Sequence, residues 1–181
     1  FFPRLYAGPL VAGPRMLPQM SAMRMSLQKT GVGAELLIRG LFKKVVLGDS
    51  IYLLYQQLRR TALYDTTVPG LWFMVALLAL ASYYLFSGYC DIAKGVGLLF
   101  GFELPDNFRH PYRATSVGSF LLRFNSTANQ YVRRYVGEYL GDMNAAVGGA
   151  LGLLLAGMLT GLWFGLRVNC LLWGVYITLF V

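Results

Sequence analysis

The sequence predicts an all-α integral membrane protein, a polytopic bundle of transmembrane helices with further helices at the membrane interface. Apolar residues make up 56% of the 181 positions and charged residues only 13%, against about 25% charged residues in an ordinary soluble domain. Two long stretches carry no charge, residues 66–90 and residues 145–166. Each is long enough for a helix that crosses a hydrocarbon core of about 30 Å, so we predict a transmembrane span in each.

The two ends of the sequence lack the features of a complete membrane protein. Residues 168–181 form a third uncharged run, which as a helix would rise only about 21 Å. The chain begins Phe1-Phe2-Pro3-Arg4, without Met and without a signal-peptide pattern. We therefore expect residues 1–181 to be a single membrane-embedded domain that is truncated at both ends.

The net charge of +8 does not indicate nucleic-acid binding, because the basic residues are spread among apolar segments instead of forming one basic domain. Membrane lipids with anionic headgroups are the partners that we expect for them. Cys90 and Cys170 show neither the spacing nor the neighbours of a disulfide or zinc site, and we expect no metal.

The first 58 residues contain two regions with different sequence patterns. Four prolines and two glycines within residues 1–25 argue against a long regular helix. From residue 26 to residue 58 the pattern is helical, with Lys43-Lys44 marking a membrane boundary. Residues 45–58 could span the membrane, re-enter it or lie flat on it, and the pattern does not choose among these arrangements.

A proline-containing loop over residues 101–116 separates the two predicted spans. Thr115 or Ser116 is placed to cap the next helix, whose apolar stripe recurs at spacings of three and four residues: Leu121, Asn125, Ala128, Val132, Val136 and Tyr139. Tyr131, Tyr135 and Tyr139 are four apart, which is typical of a helix at headgroup depth. In the second span, glycines at 148, 152, 157, 161 and 165 predict close helix packing.

Several motifs together resemble those of the membrane-bound O-acyltransferase family, in its bacterial branch of alginate O-acetylation proteins and the teichoic-acid D-alanyl transfer protein. They follow the family's order along the whole chain: Phe1-Phe2-Pro3-Arg4 to Ala7-Gly8-Pro9, Phe86-Ser87-Gly88-Tyr89-Cys90-Asp91-Ile92-Ala93, Gly101-Phe102-Glu103-Leu104-Pro105-Asp106-Asn107-Phe108, Pro111-Tyr112, Gly161-Leu162-Trp163, and residues 169–174. Leu85 departs from the pattern, since the family usually has an acid there.

The resemblance implies a helical protein of the bacterial cytoplasmic membrane that moves an acetyl-type acyl group to a hydroxyl of an exported polysaccharide or cell-wall polymer. It also implies an acyl thioester donor with no resident cofactor, a soluble acyl carrier, and an extracytoplasmic transferase as partner. Both histidines that mark this branch are replaced here, one by Asn125 and the presumed catalytic base by Phe164.

These replacements leave no intact catalytic residue at the family positions. Removing a hydroxyl proton near neutral pH requires a group such as imidazole, and neither an amide nor a phenyl ring takes up a proton there. We expect His110, in the loop, to be structural and not a substitute base. Passage-lining residues are expected at Tyr89, Asp91, Asn107, Arg123, Asn125, Trp163 and Asn169.

Two of these residues keep two interpretations each. Asp91 is either a structural ion pair, with Arg109, Arg113 or Arg123 as partner, or a group that lines the passage. Asn125 either bonds to neighbouring helices or contacts substrate. Function likewise has two hypotheses: an O-acyltransferase with impaired activity, or a catalytically inactive relative that serves as a lipid- or carrier-binding scaffold or conduit for a partner enzyme.

Overall fold

The computed structural model describes residues 9–11, 13–21, 26–62, 67–131, 134 and 145–178. Within these residues all regular structure is helical, which confirms the predicted all-α class. The elements in order are α1 (Gly13–Ser21), α2 (Leu27–Leu41), a π-helical segment (Phe42–Asp49), α3 (Ser50–Ala62), α4 (Val68–Leu99), a 3₁₀ turn (Pro111–Arg113), α5 (Val117–Arg123), α6 (residues 126–131), α7 (Ala145–Phe164) and α8 (Val168–Thr178).

The described chain forms two compact units. The first holds α1 to α4 and continues to Pro105, and the second holds Leu10, Val11 and the chain from Asp106 onward. The prediction of a single domain over residues 1–181 stays a prediction.

The first unit is built on two long helices that run antiparallel. Helix α2, the π-helical segment and α3 follow one another without a break from Leu27 to Ala62, and all three pack on α4. Residues 45–58 thus continue a helix that lies along α4. This packing does not distinguish the three arrangements considered for them, spanning, re-entrant or flat on the membrane.

Glycines bring α2 and α4 into backbone contact. A methyl group added to Gly40 would lie 2.7 Å from Ile92 N and 2.8 Å from Gly88 O, and one added to Gly95 would lie 2.7 Å from Gly33 O. The two glycines of each helix are seven residues apart, so they lie on one face of a helix with 3.6 residues per turn. Two helices with such faces can approach more closely than bulky side chains allow.

Helix α4 is longer than the span predicted from charge alone. It starts at the expected place, where Thr67 accepts a hydrogen bond from Gly70 N at 3.4 Å, but it continues beyond residue 90 to Leu99. The helix ends where Gly101 adopts a positive φ of 83°, as a helix C-terminus prefers. Of the described helices, α4 is the one that is long and apolar enough to cross a membrane.

A short helix packs at the end of the first unit. Helix α1 is nine residues long and contains Pro18, in keeping with the expected absence of a long helix there. The Gln19 side chain accepts a hydrogen bond from Glu103 N at 2.8 Å, and the Lys29 ammonium lies 2.9 Å from the Glu103 carboxylate. The loop after α4 is thereby tied to α1 and to the start of α2. The motif at residues 1–8 lies outside the described residues.

The second unit contains a helical hairpin, α7 and α8, that glycines again hold together. Gly157 and Gly174 face each other, and Gly161 lies against the backbone of Cys170. Glycine packing at 157 and 161, predicted from the sequence, is therefore confirmed. Residues 145–164 form the predicted helix of 20 residues, about 30 Å long, and its crossing of the membrane stays a prediction.

Candidate functional site

A half-buried ion pair joins the two long helices of the first unit. The Lys43 ammonium nitrogen lies 2.6 Å from Asp91 Oδ2, with 24% and 19% of the two side chains exposed. Asp91 is therefore in an ion pair, and its role as a passage-lining group stays a prediction. The partner is Lys43, and the three arginines proposed from the sequence were the wrong candidates.

The π-helical segment supplies this lysine. Lys43 and Lys44 are its second and third residues, and each has its own acid: Lys44 Nζ lies 2.7 Å from Asp49 Oδ2 within the same segment. A π-helical turn inside an α-helix often occurs at a functional site. Here it carries both lysines of the predicted membrane boundary, so each cation is neutralised beside an apolar helix.

Ser87 lies one helical turn before Asp91 and is 2% exposed. Its Oγ makes no hydrogen bond to any residue that the structure describes. Leaving a buried hydroxyl unpaired costs about 1–3 kcal/mol, so this side chain is an unusual feature of the helix. Tyr89, two residues on, is rotated by about 200° around α4 and is 41% exposed, so it does not share the face of Ser87.

In the second unit, the loop after Asp106 is pinned to the chain around Asn125. Asn107 is 2% exposed, and its Oδ1 accepts hydrogen bonds from the Thr127 hydroxyl at 2.7 Å and from Thr127 N at 3.2 Å. Leu10 N in turn donates to Thr127 Oγ1 at 3.0 Å. The backbones pair as well, with Ser126 N donating to Asn107 O and Arg109 N to Arg123 O. Asn107 therefore holds the loop after Asp106 against the chain at Ser126 and Thr127.

This pairing breaks the helix predicted through Asn125. Helix α5 begins after Ser116, which caps it as expected by accepting from Ser119 N at 3.1 Å, but it ends at Arg123. Asn125 then adopts a left-handed φ of 55°, and helical structure resumes at residue 126. The predicted continuous stripe from Leu121 is wrong at this point, because the 107–109 backbone takes hydrogen bonds that a continuous helix would use internally. The stripe positions 132, 136 and 139, like Tyr135, lie outside the described residues.

Asn129 stabilises the end of α5. Its side-chain nitrogen donates to Leu121 O at 2.5 Å and to Phe124 O at 3.1 Å, so it satisfies carbonyls that lose their helical partners at the break. The Phe124 ring packs edge-on against Phe108 with centroids 5.0 Å apart and stacks on Phe120 at 5.5 Å. Aromatic packing and hydrogen bonds thus hold the same irregular turn.

Asn125, at the first family histidine position, is buried, with 6% of its surface exposed. Asn and His both tolerate the left-handed backbone conformation better than most residues, so the turn can carry either one. His110 also has a left-handed backbone, with φ 49°, and precedes the 3₁₀ turn. It is exposed.

The second family histidine position, Phe164, is the last residue of α7. The chain turns immediately after it, with Gly165 N donating to Leu162 O at 3.1 Å and Arg167 N to Gly165 O at 2.9 Å. Trp163 is the penultimate residue of α7, and Asn169 is an exposed residue in the first turn of α8. The three residues thus flank one tight turn.

The structure gathers the predicted passage-lining residues at three places. Tyr89 and Asp91 lie on α4, Asn107, Arg123 and Asn125 lie at the break after α5, and Trp163 and Asn169 flank the α7–α8 turn. Lys43, Ser87 and Thr127 were missed. Lys43 pairs with Asp91 across 48 positions and Thr127 with Asn107 across 20, so neither pair has a local signal. Ser87 is four residues from Asp91 and so shares its helical face. Within the described part of the chain, no three His, Cys, Asp or Glu side chains form a metal-binding group.

Comparison with known proteins relates this architecture to membrane acyltransferases. The chain matches the family model for MBOAT, the membrane-bound O-acyltransferase family, over residues 1–181. A peptidoglycan O-acetyltransferase of Helicobacter pylori is 33% identical over 138 residues, which cover 74% of this chain and 26% of that protein. A probable alginate O-acetylase AlgI of Pseudomonas syringae is 31% identical over 132 residues, covering 73% and 25%.

A probable alginate O-acetylase AlgI of Azotobacter vinelandii is also 31% identical, over 73% of this chain and 26% of that protein. The chain thus spans about a quarter of the length of these curated relatives. The family match covers every residue, and the resemblance stated from the motifs is confirmed. The chain belongs to the membrane-bound O-acyltransferase family.

Proposed function

We propose that this chain is part of a membrane-bound enzyme that transfers an acetyl-type acyl group to a hydroxyl of an exported polysaccharide or cell-wall polymer. The observation that carries the proposal is the whole-chain family match together with relatives that are named as peptidoglycan and alginate O-acetylating proteins. The first relative is named for peptidoglycan and the second, as probable, for alginate. Both polymers bear hydroxyl groups, and an exported polymer is therefore the acceptor class that we propose.

The reaction that we propose for the whole protein needs an acyl thioester as donor. A soluble acyl carrier on the inner side of the bacterial cytoplasmic membrane would deliver it, and an extracytoplasmic transferase would pass the acyl group on. Polar residues in an apolar bundle favour this passage role. Asp91 and Asn107 are two such residues, and each forms a side-chain hydrogen bond or ion pair within its own unit.

Transfer by this chain is expected to be weak. A hydroxyl is a poor nucleophile until a base takes its proton, and general-base help contributes roughly 10² to 10⁴ in rate. Phe164 has no lone pair, and the Asn125 amide is not a base. The proposed function is therefore an acyltransferase with impaired chemistry.

The second candidate is a family member without catalysis that binds a lipid or a carrier, or serves as a conduit for a partner enzyme. The observation that favours it is the loss of imidazole at both family positions, Asn125 and Phe164. This chain forms glycine-packed helices and the Asn107 network, so its folded architecture does not require that chemistry.

A gain-of-function experiment separates the two candidates. The full-length protein is assayed for acyl transfer from a thioester donor to a polysaccharide acceptor, before and after Phe164→His alone and together with Asn125→His. Leu172→His on the exposed side of α8 is the matched control. Impaired catalysis predicts a measurable basal rate that rises at least about tenfold with Phe164→His, and no change with the control.

The other outcomes are equally informative. No transfer by any variant, with the protein folded and membrane-inserted, would favour the scaffold. Rapid transfer by the unchanged protein would refute the argument from the missing histidines. Co-purification of a carrier protein or a transferase with the full-length protein tests the proposed partners, and fractionation of the bacterial membranes tests the location.

A further inference from the structure

Polar side chains form a stripe along α4. Tyr83, Ser87 and Asp91 are four residues apart, which places them on one face of the helix, and Lys94 follows on the same side. The preceding part of α4 is almost entirely apolar. Polar groups inside such a helix are costly, and they mark sites for polar ligands or solutes more often than they mark simple packing.

Ser87 is the stripe residue whose bonding is incomplete. A serine in a helix commonly donates to the carbonyl one turn back, and Ser82 in the same helix does so, with Oγ 2.7 Å from Leu78 O. Ser87 Oγ instead has no hydrogen bond to a described residue and is buried. Its hydroxyl is thus available for a group that the protein does not itself provide.

Asp91 supplies unused acceptor capacity next to it. Lys43 engages Oδ2, and a carboxylate has about four lone-pair sites on its two oxygens. Residues four apart on a helix have Cβ atoms about 5–6 Å apart, so one oxygen atom fits between the two side chains. A hydroxyl group is both donor and acceptor, so a single oxygen atom can bond to Ser87 and Asp91 together.

We propose that Ser87 and Asp91 form a binding site for one hydroxyl group, with Lys43 holding the carboxylate in place. The bound group accepts a hydrogen bond from Ser87 Oγ and donates one to Asp91. Water and an alcohol of a sugar-like solute share this chemistry. The site itself does not depend on the proposed acyl transfer, which enters only in naming a polymer alcohol as the second source.

Thiol accessibility tests this site in the full-length protein in membrane vesicles. Ser87→Cys is treated with silver ion, which is close to a water molecule in size. The protein is then denatured, free thiols are alkylated, and blocking at residue 87 is separated from blocking at Cys90 by mass spectrometry of the peptide. Thiolate is the reactive form, so a hydrated thiol reacts and a dry one does not. Leu77→Cys, in a buried position of α4, is the matched control.

We expect Ser87→Cys to react at least about tenfold faster than Leu77→Cys, because thiolate forms where water reaches the thiol. Protection by an alginate oligosaccharide, used as a probe rich in alcohol groups, would identify an alcohol as occupant, and labelling without protection would identify water. Equal, slow labelling of both cysteines would overturn the proposal.

A measurement on the unchanged protein guards against a misfolded variant. Hydroxyl radicals generated by X-rays from bound water oxidise nearby rings, and Tyr83 and Tyr84 are adjacent, half-buried residues on different faces of α4. Oxidation of Tyr83 several-fold faster than that of Tyr84 supports a hydrated site at Ser87. Equal oxidation of the two rings contradicts it.

Discussion

At the scale of single residues, the backbone at Asn125 decides which side chains this position accepts. Its φ of 55° lies in the left-handed region, where a residue with a Cβ is roughly 1–2 kcal/mol less stable and a β-branched one is worse. The family histidine and the asparagine found here both suit this conformation. A histidine at this position would therefore be compatible with the turn that Asn125 forms here.

We predict that Asn125→Val destabilises the full-length protein by about 2 kcal/mol, since a β-branched residue is strained at positive φ. Asn125→Gly removes the same amide but relieves the backbone, so it is the control and should be clearly less destabilising. Thermal unfolding of the detergent-solubilised protein measures both. Equal losses would show that the amide, and not the backbone, sets the cost.

A second prediction at this scale concerns the Lys43–Asp91 ion pair. Removing one partner leaves the other charge half-buried and unpaired, so Asp91→Asn and Lys43→Met should each cost about 1–3 kcal/mol. The double variant should cost less than the sum of the two, because it leaves no orphan charge. A double-mutant cycle in unfolding free energy measures the difference, and strict additivity would contradict the pair's importance.

At the scale of elements, close helix approach depends on particular glycines and not on glycine content. Gly33, Gly40, Gly88 and Gly95 meet backbone atoms of the facing helix, whereas a methyl group on Gly31 of α2 would have no atom within 4 Å. These two kinds of glycine look alike in the sequence. They differ only in their position around the helix: Gly40 faces α4, and Gly31 has no neighbouring atom.

Gly40→Ala should therefore destabilise the protein by about 1–3 kcal/mol, since the added methyl forces the backbones of α2 and α4 apart. Gly31→Ala is the matched control on the same helix. It should stabilise by about 0.5–1 kcal/mol, because alanine has the higher helix propensity. Unfolding midpoints of the two variants give the comparison, and a loss at both positions would contradict the contact argument.

At the scale of the whole molecule, contacts between residues far apart in the sequence hold the first unit together. Glu103, after α4, meets Lys29 at the start of α2, and that ammonium holds the pKa of the Glu103 carboxyl below its ordinary value of 4.5. A carboxylate with a depressed pKa stabilises the fold above its unfolded pKa. That contribution is lost as the pH falls through the folded pKa.

We predict a small loss of stability as the pH drops below about 4.5, at most about 1 kcal/mol because the pair is exposed and screened. Glu103→Gln should remove this part of the pH dependence, and so should high salt. The measurement is the unfolding midpoint against pH for both proteins. An unchanged profile in Glu103→Gln would show that the pair contributes nothing.

Much of the protein could be predicted from local patterns. Uncharged runs located α4 and α7, Ser116 was one of the two expected helix caps, and the ordered motifs pointed to the family. These features depend on neighbouring residues and on the burial of apolar surface in lipid, which a sequence displays directly. The replacement of histidine by Asn125 and Phe164 could likewise be read from the sequence, because whether a side chain can act as a base depends first on its residue type.

The sequence by itself determined the helical class, the membrane environment, the family and the absence of a base at two positions. Only the tertiary structure decided that Asp91 pairs with Lys43, that Ser87 Oγ has no hydrogen-bond partner among the described residues, and that the helix breaks at Asn125. Such facts depend on contacts between residues far apart in the chain. The spacing of residues along the chain does not indicate which distant group forms a given hydrogen bond.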